Sequence, residues 1–172
     1  MISIVQEDIT KIKTEAIVNS TNSLYIMNKG VSSDILLSAG KEVEDEIKNY
    51  KKKHKSLKEG DFYSTSGGNL LQNNVKIIYH AVVNDCPTSN SSIYVINCLM
   101  NKILNKAIKD KVTSITFTGL GTGCCCLNKR IIAMNMIDSI RKYCGLINIT
   151  IADLDEELVN IFKEIFKGIT NE

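Results

Sequence analysis

Arginine is almost missing from this chain. Of its 172 residues, 21 are lysine or arginine, but only Arg130 and Arg141 are arginines. Clusters of guanidinium forks are therefore excluded as the main device for holding phosphate. There is no tryptophan, and aromatic residues make up 6% of the chain. So few base-stacking side chains argue against a nucleic-acid platform. Histidine is confined to His54 and His80 and no C-x-x-C spacing occurs, so no zinc or other structural metal is expected. No apolar run is long enough to span a membrane, and Met1-Ile2-Ser3-Ile4-Val5 has neither the charged start nor the cleavage signature of a signal peptide. The expectation is a cytoplasmic protein with no membrane partner. With no internal repeat and no low-complexity linker, residues 1–172 are expected to form a single domain.

The net charge is +2, so the whole molecule is not a polyanion trap. The basic stretch from Lys48 to Lys55 reads as a solvated helix end. Six cysteines are present. Cys124, Cys125 and Cys126 are consecutive, while Cys86, Cys98 and Cys144 lie in or beside apolar segments. They read as buried small hydrophobes rather than disulfide partners. A cysteine at a helix start can become a nucleophile, but neither histidine is evidently paired with this triplet.

Hydrophobic spacing sets the order of elements. Strands are expected at Ile2 to Gln6 and Ala16 to Val18, with Ile12 to Thr14 connecting them. A helix over Val31 to Tyr50 should break near Gly40. Strands then follow at Phe62 to Thr65 and Lys76 to Val83, around the loop Gly67-Gly68-Asn69. The pattern Ile96, Leu99, Met100, Ile103, Ala107 gives the next helix, which ends before a strand at Ser114 to Phe117. Another helix covers Asn128 to Tyr143, a strand Asn148 to Ala152, and a last helix carries Leu158, Ile161, Phe162, Ile165 and Phe166, capped by Asp153 or Asp155. Strands alternating with helices predict an α/β sandwich whose sheet is mostly parallel in its second half. Its ligand crevice should lie at the carboxyl ends of the strands. Three polar sequences follow predicted strands directly: Glu7 to Thr10, Asn19 to Asn22, and Thr118 to Gly123.

The last of these, Thr118-Gly119-Leu120-Gly121-Thr122-Gly123, is the clearest functional signal. Its glycines allow positive φ and close approach of backbone to a ligand, and the helix that follows would add free N–H groups. Such a loop suits a diphosphate. It has neither the Lys-Ser/Thr of a P-loop nor the spacing of a Rossmann fingerprint.

Six blocks, in order, resemble the macro domain, the ADP-ribose-binding module. They are Val5-Gln6-Glu7-Asp8-Ile9-Thr10, Glu15 to Asn22, Lys29-Gly30-Val31, Gly60 to Leu70, Ile77 to Val82, and Phe117 to Gly123. The resemblance implies a three-layer α/β/α sandwich with a mixed central sheet. It also implies a ligand, either ADP-ribose or an ADP-ribosylated protein, and no cofactor. Asp8, with the Ile9 backbone beside it, would accept the adenine amino group, or else cap a turn. Asn22 would hold the hydroxyls of the distal ribose, while Asn19 would fix the loop by bonding its backbone. Gly30 and Val31 on one side and Gly121, Thr122, Gly123, Cys124 and Cys125 on the other would cradle the diphosphate. Val31 and Phe117 read equally as core. Asn22, Lys29 and Ser32 are the candidate catalytic residues.

The chain also departs from the family pattern. Glu7 stands where a glycine is common, and Ser32 stands where hydrolytic members carry an aspartate. Asp34, two residues on, should point to another side of the helix. Nothing among Ala152-Asp153-Leu154 matches the family's late aromatic, and Cys126 replaces a glycine. His80 should pack beneath the crevice. A hydrolase of protein-linked or O-acetyl ADP-ribose, a non-catalytic reader, and an adenine-nucleotide or RNA-binding module all remain open.

Overall fold

A computed structural model of the chain describes residues 1–54, 57–85, 91–123 and 125–170. Lys55 of the basic stretch, Cys86 and Cys124 lie outside the described residues.

Six strands form one sheet in the order β1-β6-β5-β2-β4-β3. They are β1 (Ile2–Gln6), β2 (Ala16–Asn22), β3 (Phe62–Ser66), β4 (Ile77–Asn84), β5 (Ser114–Phe117) and β6 (Asn148–Asp153). Every neighbouring pair runs parallel except β3 and β4. That antiparallel pair at one edge makes the sheet mixed. The helices are α1 (Gly30–Ala39), α2 (Lys41–Lys53), α3 (Ile93–Lys109), α4 (Lys129–Arg141) and α5 (Glu156–Thr170). Gly40 divides the expected long helix into α1 and α2. Two elements escaped the periodicity, the 3-10 helices at Ile9–Lys11 and Gly68–Asn73. Three and six residues are too few to register in a helical pattern.

β2 explains why both faces of the sheet are covered. Its first residues are buried without alternation, as a central parallel strand requires. Ala16 and Val18 enter the larger core with Leu99, Met100, Met136, Ile137 and Phe162, drawn from α3, α4 and α5. Ile17 enters a second core with Ile35, Val43 and Ile47 from α1 and α2. The result is a three-layer α/β/α sandwich. The starts of α3, α4 and α5 are capped by short polar side chains. Ser92 accepts the Val95 amide (3.3 Å), Asn128 the Ile131 amide (3.1 Å) and Asp155 the Leu158 amide (3.1 Å). Of the two candidates for capping α5, Asp155 does so.

Among the described residues, no helix is long and apolar enough to cross a membrane. The expectation that the cysteines are buried holds only in part, since Cys126 and Cys144 are exposed and Cys125 is buried. Cys144 sits in a turn and Cys126 in the irregular stretch before α4, where apolar neighbours in sequence do not guarantee burial.

Candidate functional site

The carboxyl ends of β1, β6, β5, β2 and β4 open into one cleft of about 900 Å³. The three polar sequences converge there. Asp8 and Ile9 come from the turn after β1, Asn22 from the end of β2, and Thr118, Gly119, Gly121, Thr122 and Gly123 from the loop after β5. Lys29, Gly30, Val31 and Ser32 close the cleft from α1, and Cys125 lies in its wall. Phe117 is fully buried core, as one of its two readings held, and Val31 both lines the cleft and packs against the second core.

The helix expected to add N–H donors after the glycine loop does not reach the cleft. α4 begins only at Lys129, and Asn128 already caps it. Its first turn does not line the cleft. α1 does, through Gly30, Val31 and Ser32, and its N-cap residue Lys29 makes no side-chain cap bond, so the first-turn amides of that helix have no side-chain acceptor. Gly30 has φ +60, and a Cβ there would meet nothing within 4 Å. The backbone is thus open to a ligand at that point.

The glycine loop is shaped at Gly121 rather than Gly123. Gly121 has φ +81 and a Cβ on it would come 2.8 Å from Leu127 Cδ1, whereas Gly123 has no positive φ and open space around it. Of the loop's three glycines, only Gly121 uses the left-handed backbone that the sequence allowed to each of them. Cys126, the glycine replacement, does take φ 50. The loop is tied to β6 by the Gly119 amide, which donates to Asp153 Oδ2 at 3.1 Å.

Asp8 fills its capping role. Oδ1 accepts the Thr10 amide (2.9 Å) and hydroxyl (2.8 Å). The same half-buried carboxylate lines the cleft, so capping and ligand binding are compatible. The Asp8 amide is taken by Glu7 Oε1 at 2.9 Å. This end of the cleft therefore offers acceptors, which favours a base edge carrying an amino group.

Asn22 is more committed than the sequence implied. Its Oδ1 accepts the amides of Leu24 (3.1 Å) and Ile26 (3.2 Å), and its Nδ2 donates to Ile26 O (2.8 Å). Those bonds hold a loop in which Tyr25 sits at φ 61, with its ring 5.4 Å from that of Tyr63. With the oxygen doubly engaged, Asn22 retains one free N–H for a ligand. Asn19 does not bond the loop backbone as expected. It is fully buried, and Nδ2 reaches Met27 Sδ (3.5 Å) and His80 Nδ1 (3.1 Å). His80 is buried and stacked on Tyr63 (4.6 Å, 12°). Burial holds its pKa down at about 3, so it is a neutral structural group.

Ser32 is buried and its hydroxyl turns back to Lys29 O (3.3 Å). Asp34, expected on another side of the helix, lines the cleft instead. It lies four and three residues after Gly30 and Val31, hence on their face of α1. Sequence reasoning missed Asp153, Leu154 and Asp155, which line the cleft together with Glu7. The available signal was that Asp153 to Asp155 follow a predicted strand, as the other site loops do. Lys129 pairs with Asp155 (2.6 Å) and Glu157 (2.5 Å), which lowers the Asp155 pKa and raises its own.

Comparison with known proteins places the chain in a family. An uncharacterized protein of Aquifex aeolicus is 28% identical over 167 residues, covering 95% of this chain and 96% of its own. The human protein mono-ADP-ribosyltransferase PARP14 is 32% identical over 136 residues, covering 79% of this chain and 7% of its own length. Among solved structures, the Oceanobacillus iheyensis macrodomain with ADP superposes with a TM-score of 0.87 at 23% identity, over 98% of this chain and 90% of that one. The Trypanosoma brucei macrodomain in complex with ADP-ribose gives a TM-score of 0.80 at 18% identity, over 96% and 68%. These structures share the fold. The family model described as Macro domain matches residues 18–136, more than half of the chain, and the chain belongs to the macro domain family.

Proposed function

We propose that residues 1–172 act as one macro domain that binds ADP-ribose, free or attached to protein, in the cytoplasm. The observation that carries this reading is the polarity of the cleft. The turn after β1 offers the Asp8 carboxylate, while the Asp8 amide is taken by Glu7. The loop after β5 offers glycine backbone, and α1 its uncapped first turn. A ligand with an amino-bearing base, a diphosphate and a second neutral sugar matches those partners. The ADP and ADP-ribose bound by macrodomains of similar fold support it. Titration calorimetry with ADP-ribose tests the reading, which requires saturable one-to-one binding.

A second reading, hydrolysis of an ADP-ribosyl ester, is favoured by Asp34, a carboxylate that α1 presents to the cleft while Ser32 offers none. Water would add to the anomeric carbon of the distal ribose as the bond to the protein carboxylate breaks, with Asp34 taking the water's proton. Asp34→Asn should then slow release from a carboxylate-linked ADP-ribosylated protein about 100-fold, the scale of a lost general base. Release that persists in this variant would transfer proton acceptance to a phosphate oxygen of the ligand. Wild-type protein that binds but releases nothing would be a reader.

A further inference from the structure

The cleft carries more negative charge than a hydrogen bond to adenine requires. Glu7, Asp8, Asp153 and Asp155 all line it, and the Lys129 ammonium is shared between Asp155 and Glu157. Only part of the charge is thereby neutralised. Glu7 is exposed, yet its carboxylate folds back onto the Asp8 amide, which keeps it at the cleft mouth. The cation among the described residues lining the cleft is Lys29, at the start of α1.

Resting on the ADP-ribose reading, we propose that this carboxylate wall makes the cleft select ligands whose adenosine ends in free hydroxyls. Ligands with a phosphate on the adenosine ribose are rejected, and Glu7 is a specificity-determining residue. If Asp8 takes the adenine amino group, the adenosine ribose lies between this wall and the diphosphate cradle. Neutral hydroxyls are accepted there. A phosphate carrying nearly two charges would face carboxylates across a partly desolvated cleft, where like charges repel more than in bulk water. Rejection of this kind is specificity by an unfavourable contact with the wrong ligand.

The experiment compares ADP-ribose with 2′-phospho-ADP-ribose by calorimetry on the wild-type chain, Glu7→Gln and Glu7→Lys, at low and high sodium chloride. Glu7 is exposed, so both variants are expected to fold. The wild type should bind the 2′-phosphorylated ligand at least about 10-fold more weakly at low salt, a factor worth about 1.4 kcal/mol. That ratio should shrink with added salt, as a charge effect does, and shrink further from Gln to Lys. A ratio near one in the wild type overturns the proposal. So does a ratio that neither salt nor substitution changes, since exclusion would then be steric. Failure of ADP-ribose itself to bind would instead remove the parent reading.

Discussion

Asn19 Nδ2 and His80 Nδ1 face one another at 3.1 Å across the β2–β4 ladder, where the two residues are register partners. The amide donates, so Nδ1 accepts and the imidazole proton sits on Nε2, 2.9 Å from Thr65 Oγ1. The Thr65 hydroxyl donates to Ser66 O (3.1 Å). In this arrangement a second ring proton, on Nδ1, would face the Asn19 Nδ2 donor.

Stability should therefore depend on pH through His80. Its folded pKa is depressed to about 3 from an ordinary value of 6.5. Below pH 6.5 the unfolded chain takes up a proton that the folded one refuses, so stability is full above 6.5 and falls as pH drops toward 3. The slope approaches about 1.4 kcal/mol per pH unit. Glu15, held near 2 chiefly by its bond to Lys76, adds its own loss only below its ordinary 4.5. Urea unfolding between pH 6.5 and 4.5 thus isolates His80, and His80→Gln should flatten the slope there.

Gly121 and Gly123 should behave differently on substitution. Gly121→Ala places a Cβ at φ +81 and 2.8 Å from Leu127 Cδ1, which should cost about 1–2 kcal/mol in unfolding and weaken ADP-ribose binding. Gly123→Val meets neither obstacle. It should leave the unfolding free energy within about 0.5 kcal/mol while lowering affinity by filling the cleft. Arg130, exposed and paired with Glu164 between α4 and α5, should be replaceable by alanine without change in affinity.

Asp8 serves two ends, and two variants separate them. Asp8→Ala removes the acceptor for Thr10 and should cost about 0.5–2 kcal/mol of stability, the range for a lost cap. Asp8→Asn keeps an acceptor and should preserve the melting transition. Both should lower ADP-ribose affinity about 10-fold or more, because a bond to a charged group is lost. Unchanged affinity in Asp8→Asn would leave the residue only its capping role.

Much of this was legible in the sequence, because the patterning of buried strands and amphipathic helices is a property of consecutive residues. Ala16-Ile17-Val18 announces a central strand, and the strand-following loops announce a shared crevice. What stayed hidden depends on how loops close in space. A run such as Gly119 to Gly123 does not say which glycine takes positive φ, since Leu127 and Ile96 decide it from outside the loop. Asn22 spends its carbonyl oxygen on amides two and four residues ahead, a consequence of the turn that brings Tyr25 onto Tyr63. Asp34 joins the cleft because α1 starts at its mouth, which no residue type encodes.

The central claim is that ADP-ribose occupies the cleft at the carboxyl ends of the strands, and amide chemical shifts test it most directly. Titrating ADP-ribose into the isotope-labelled chain should move the amides of Asp8, Ile9, Gly30, Val31, Gly121, Thr122 and Gly123 with one common affinity. Thr113, Leu146 and Asn148, which line a separate hollow at the opposite end of β5 and β6, should not move. Shifts confined to that opposite end, or none at saturating ligand, would contradict the account.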